Sequence, residues 1–95
     1  MHGYAENKPL LVKRLHRIEG QVRGIERMID EDRYCIDILT QIAAVETALE
    51  RVGAKLLEGH VNHSVHDAIA SGDAQAADEK TAELLDAVQR FVKTR

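Results

Sequence analysis

A chain of 95 residues makes one small domain, whose core buries only a modest share of its apolar side chains without a partner, so self-association is expected. Its only aromatic residues are Tyr4, Tyr34 and Phe91, among many Leu, Ile, Val, Ala, Glu and Arg, a composition that favours helices and disfavours a β-sandwich or barrel. The net charge of −3 argues against a uniformly basic nucleic-acid binder, yet residues 8–27 carry six basic side chains against two acidic, a net +4 that leaves −7 on the remainder and marks a localised anionic partner.

The N-terminal string MHGYAENKP has neither the basic nor the apolar region of a secretory leader, and residues 1–8 read as a flexible arm. No window reaches the roughly 18 apolar residues of a membrane span, so a cytoplasmic protein without a membrane partner is expected. Pro9 after Asn7 and Lys8 marks a helix start, with Asn7 as cap and the proline in the first turn, where its missing N–H costs nothing. Leu11, Leu15, Ile18, Val22, Ile25 and Ile29 then recur at alternating spacings of four and three, a heptad seam. Gly20 and Gly24 interrupt it, each costing about 1 kcal/mol against alanine, and the period outweighs them. The acidic run Asp30, Glu31, Asp32 suits the start of the next helix better than the end of this one, so a turn is placed there.

A second helix is expected from about Asp32 to Ser71, ending at Gly72. Its seam reads Cys35, Ile38, Ile42, Val45, Leu49, Val52, Leu56, His60, His63, so the sole thiol and two histidines stand where the pattern otherwise asks for apolar side chains. The third helix begins near Asp73, with a seam of Ala77, Thr81, Leu84, Val88 and Phe91, and Lys93 and Arg95 suit its C-terminus. There are no internal repeats, and the whole chain, 1–95, reads as one domain.

Along one continuous helix Cys35 and His60 stand about 37 Å apart and cannot share an ion. Two antiparallel copies crossing near Thr47 and Ala48 change this: Cys35 of one chain meets His60 of the other, and twofold symmetry makes two such sites. Ala43, Ala44 and Ala48 allow the close approach. His63, three residues beyond His60, is near enough to contribute, whereas His66 turns to another face and is expected in solvent. A thiolate with imidazoles suits a borderline or soft cation: Cu(I), Ni(II), Co(II) or Zn(II). The plainer reading is that a histidine on a helix seam is more often a hydrogen-bonded core residue, and a lone cysteine there more often packs.

Lys13, Arg14 and Arg17 of the first helix and Arg51 and Lys55 of the second lie off the seams and are candidates for phosphate contact, against the ordinary reading of a solvated face. No helix-turn-helix pair, zinc-finger spacing or RNA-binding aromatic motif is present, so binding to duplex DNA would rest on backbone electrostatics and DNA shape and weaken steeply with salt. An enzyme is not expected, because no nucleophile and base have a third orienting group and there is no glycine-rich phosphate loop. A small helical metal-binding protein without DNA affinity is the alternative.

The string LVKRLHRIEGQVRGIERMIDEDRYCIDILTQIAAVETAL, followed by LLEGHVNH, closely resembles the CsoR/RcnR/FrmR family of metal- or formaldehyde-responsive transcriptional repressors, over residues 8 to 95. The resemblance implies an all-α fold: a three-helix protomer pairing as an antiparallel four-helix-bundle dimer, in a disc-shaped dimer of dimers. It also implies double-stranded operator DNA bound through basic residues of the first two helices, Arg14 and Arg51 among them, and released when an effector binds at the dimer interface. The family's thiol matches Cys35, and its histidine, given by the other subunit, matches His60. Copper sensors carry a second cysteine where this chain has Ser64, whose hydroxyl is a poor Cu(I) ligand. Tyr34 matches the residue behind the copper sensors' ligands, and their third-helix glutamate falls between Thr81 and Glu83, with Glu83 the carboxylate at hand. Nickel and cobalt sensors use an N-terminal histidine, a part His2 could take, and one where Ser64 stands, a residue away from His63. Formaldehyde sensors pair the thiol with an N-terminal proline, here His2.

Overall fold

The computed structural model describes residues 5–93, and every regular element among them is helical. After a 3₁₀ turn, Ala5–Asn7, come α1 (Lys8–Asp30), α2 (Cys35–His60), a π-helical segment (Val61–Val65), α3 (His66–Ala70) and α4 (Ala74–Lys93). The three helical stretches expected are present, the second divided by the π segment. No helix of the described residues is long and apolar enough to cross a membrane. Contacts divide the chain into two compact units, Glu6–Lys55 and the chain from Leu56 onward.

Of the stretch read as a flexible arm, residues 5–8 are helical. The 3₁₀ turn runs into α1, Pro9 sits in the first turn, and Asn7 holds the cap position without a side-chain cap bond because the preceding turn already continues the helical path. Residues 1–4, and with them His2, lie outside the described residues. At its other end α1 closes as the acidic run foretold, by a Schellman arrangement. Asp32 takes φ of 55°, the Arg33 N–H donates to the Met28 carbonyl at 2.9 Å, and the Asp32 N–H donates to the Ile29 carbonyl at 3.1 Å. The left-handed residue also moves the start of α2 from Asp32 to Cys35, where the Tyr34 carbonyl accepts from the Asp37 and Ile38 amides.

In the first unit Leu11 and Ile18 of α1 cluster with Val45 and Val52 of α2, and Ile25 and Ala48 pack against them. These α1 residues recur every seven positions, so the protomer buries one half of the heptad seam. The other half, Leu15, Val22 and Ile29, remains 44%, 42% and 59% exposed.

In the second unit the seam of threes and fours was expected to persist to His63. His63 is half-buried like His60, but the helix beyond His60 is π-helical, so backbone bonds skip an extra residue and shift the helical phase of the residues downstream. Gly59 and Val65 are buried, His60, His63 and Ser64 half-buried, and His66 exposed. Gly72, with φ of 78°, ends the stretch at the expected glycine. Asp73 then caps α4, its carboxylate accepting from the Gln75 and Ala76 amides at 3.0 and 3.2 Å. On α4 the half-buried row is Ala77, Lys80, Leu84 and Val88. Thr81, expected on the seam, is exposed and donates its hydroxyl to the Ala77 carbonyl at 2.8 Å. The side chain of Lys93, and Arg95 altogether, fall outside what is described.

Candidate functional site

On α1, Arg14, Arg17 and Gln21 succeed one another at helical spacings of three and four and share a face beside the buried Ile18. On α2, Ala44, Thr47, Ala48 and Arg51 do the same. The two rows enclose an open hollow of about 500 Å³ with three guanidinium groups on its lining and no carboxylate. Among the described residues none of these arginines has an acidic partner within ion-pair distance. A second hollow, along α1, is lined by Arg23, Glu26, Arg27, Ile29 and Asp30, where each cation has a carboxylate nearby. Charge cancels there and accumulates in the first.

Of the five basic candidates, the structure thus brings Arg14, Arg17 and Arg51 together and leaves Lys13 and Lys55 outside the hollow. Sequence reasoning passed over Gln21, and it assigned Ala44, Thr47 and Ala48 to the crossing of a second copy rather than to this hollow. The signal was available, since Gln21 stands four residues after Arg17 and Thr47 four before Arg51, but charge alone drew the selection.

Cys35, the first residue of α2, carries a free, exposed thiol, and exposed Tyr34 precedes it. His60 is the last residue of the same helix, 33% exposed, with its Nε2 3.8 Å from a carboxylate oxygen of Glu83 on α4. The other Glu83 oxygen lies 3.4 Å from Lys80 Nζ. The α4 register thereby selects Glu83 over Thr81 as the neighbour of His60. His63 lies in the π segment. Among the described residues no three His, Cys, Asp or Glu side chains of one chain converge to hold a metal ion. A thiolate and imidazoles fit borderline and soft cations in kind.

Residues 7–90 match the family model described as metal-sensitive transcriptional repressor. The chain belongs to that family. The repressor is 53% identical to the copper-sensing transcriptional repressor RicR of Mycobacterium tuberculosis, over 98% of this chain and 96% of the relative. It is 50% identical to the copper-sensing transcriptional repressor CsoR of Bacillus subtilis, over 98% and 89%. Among solved structures, the copper-sensing repressor CsoR with Cu(I) from Geobacillus thermodenitrificans is similar with a TM-score of 0.83 and 47% identity, covering 92% of this chain and 88% of that one. The nickel-responsive transcriptional regulator InrS is similar at 0.76 and 42%, covering 87% and 90%. The family is one of transcriptional repressors rather than enzymes, and that membership sets aside the reading of a metal-binding protein without DNA affinity.

Proposed function

We propose that the repressor binds operator DNA through Arg14, Arg17 and Arg51, assisted by Lys13 and Lys55, and lets go when an effector binds between two subunits at Cys35 of one and His60 of the other. The observation that carries this reading is the hollow in which three arginines without acidic partners among the described residues converge, a surface for the phosphate backbone of duplex DNA.

Two features support the intersubunit site. A helix that begins at Cys35 and ends at His60 holds its ends about 37 Å apart, and an antiparallel second copy crossing near Thr47 and Ala48 brings them together. The exposed half of the α1 heptad, Leu15, Val22 and Ile29, is the kind of apolar stripe a second copy covers. The protomers accordingly form an antiparallel four-helix dimer, and dimers pair into a tetramer, with all 95 residues acting as one cytoplasmic DNA-binding and sensing domain.

The effector class is set by the donors. A transition metal ion would be held by the Cys35 thiolate and the His60 imidazole, with His63, and His2 from the N-terminus, as further nitrogens. With Nε2 of His60 3.8 Å from Glu83, Nδ1 is the nitrogen left for a metal, and a small rotation would bring the carboxylate into position to orient the ring. Ser64 supplies no thiolate, so Cu(I) has fewer soft donors here than Ni(II), Co(II) or Zn(II) have suitable ones. The same exposed thiol is open to a thiol-reactive small molecule such as formaldehyde. A ligand shared by two chains favours the arrangement that satisfies both, and shifts DNA affinity by its differential affinity for the two arrangements, a coupling of about 1–3 kcal/mol.

The test is fluorescence anisotropy of a labelled duplex from directly upstream of the coding sequence, at fixed salt, first with apo protein and then with Cu(I), Ni(II), Co(II), Zn(II) and formaldehyde in turn. Tight apo binding relieved by one of them is expected. Absence of any salt-dependent binding overturns the reading.

A further inference from the structure

The hollow between α1 and α2 has a chemistry narrower than a basic face. Its floor is small or apolar, Ile18, Ala44 and Ala48, and its rim is Arg14, Arg17 and Arg51. The Thr47 hydroxyl hydrogen is committed to the Ala43 carbonyl at 3.1 Å, so this side chain offers the hollow only lone pairs. Gln21 has no hydrogen-bond partner among the described residues, and its amide is the one neutral side-chain donor on the lining.

We infer that the hollow is a seat for a single phosphodiester of the DNA backbone, which enters between the helices onto the alanine floor, with Gln21 as the uncharged donor that completes its hydrogen bonding. The inference rests on the DNA-binding reading above and adds shape to it. On an open basic face a phosphate is held by charge alone and the floor is irrelevant, whereas in a seat the floor and the neutral donor both count. A phosphodiester oxygen takes more than one donor, and bonds to a charged acceptor are the stronger ones. The two sets of arginines, on separate helices, approach such a group from two sides.

The test uses the full chain and the same upstream duplex, measured across a salt series. Gln21→Ala is expected to weaken binding about tenfold at every salt concentration, the usual effect of losing a hydrogen bond to a charged group, while the slope of log affinity on log salt keeps its wild-type value because no charge is lost. Arg51→Ala, measured beside it, should flatten that slope by about one for each subunit that contacts the duplex. Ala44→Met, at an exposed position of the floor, narrows the hollow with every charge in place and, with sedimentation velocity showing the wild-type assembly, should weaken binding about tenfold or more by denying Gln21 and the arginines their bonds; binding lost together with the assembly gives this alanine face to the second copy and overturns the seat. Wild-type affinity in both Gln21→Ala and Ala44→Met overturns the seat while leaving the arginines as a plain basic face. A Gln21→Ala slope that falls like that of Arg51→Ala also overturns it, since Gln21 would then act by placing an arginine. Inorganic phosphate that saturates the hollow, seen in arginine side-chain NMR signals, without being displaced by the duplex assigns the hollow to a small anion instead. Wild-type protein that binds no duplex removes the DNA-binding reading itself.

Discussion

Glu83 of α4 directs one carboxylate oxygen at His60 Nε2, 3.8 Å away, while its other oxygen is held by Lys80 at 3.4 Å. The separation is longer than a direct hydrogen bond, and a small rotation of either side chain closes it. A carboxylate behind a ligating histidine fixes the ring and raises its basicity, and loss of such a partner typically lowers metal affinity about 10- to 100-fold. Glu83→Gln is therefore expected to weaken binding of the inducing metal by that order, measured by competition with a chromophoric chelator, and to leave apo affinity for DNA unchanged. Unaltered metal affinity removes Glu83 from the sensing site.

Cys35→Ala separates sensing from binding more completely. The thiol begins α2 and is exposed, with no hydrogen bond within the described chain, so its loss leaves the fold and the arginine hollow in place. Operator affinity should match wild type, and none of the effectors should release the DNA. A mutant that no longer binds DNA in the apo state contradicts this division of roles.

The two Asp residues at the turns show how much the sequence made legible. Asp32 and Asp73 both sit at breaks that acidic and glycine signals announced, and the helices end and begin within a few residues of the expected places. The heptad of α1 was legible as a pattern, but not its division into a half buried by α2 and a half left exposed, because a spacing records that a face is apolar and not what covers it. The π segment left no mark, since VNHSV has no helix breaker and the extra residue in the turn is a matter of backbone bonding and packing against α3 and α4. Arg14, Arg17 and Arg51 could be named from charge, whereas their convergence depends on which faces of two helices meet. The choice of Glu83 over Thr81 awaited the register of α4 for the same reason.

Arg14, half-buried at the rim of the hollow, is a measure of backbone electrostatics. Arg14→Ala should lower operator affinity, flatten the dependence of log affinity on log salt by about one for each subunit that contacts the duplex, and leave metal affinity as it was. An unchanged slope takes this residue out of the footprint.

The fold's own stability has two separable supports. Ile18→Ala empties part of the Leu11, Ile18, Val45, Val52 cluster and should cost about 2–4 kcal/mol in chemical denaturation. Asp73→Ala removes the acceptor of two α4 amides and should cost about 1 kcal/mol. A larger loss at Asp73 than at Ile18 would mean that the docking of α4, rather than the α1 and α2 core, limits unfolding.

Val22 tests the face that the protomer leaves open. It lies between Leu15 and Ile29 on the exposed half of the α1 heptad; it neighbours Gln21 but does not itself line the hollow, and it is not among the residues of the α1 and α2 core cluster. In an isolated protomer Val22→Glu places a charge in solvent, where surface substitutions usually change stability by about 0.5 kcal/mol or less. In an assembly that covers the stripe, the same charge is buried without a partner and is strongly disfavoured. Sedimentation velocity should therefore show the wild type as an oligomer and Val22→Glu shifted to smaller species. On the proposed reading, in which Cys35 of one chain and His60 of the other hold the metal, the variant should lose its metal site together with its assembly. An oligomer of wild-type size that still binds metal would place the subunit interface elsewhere on the molecule.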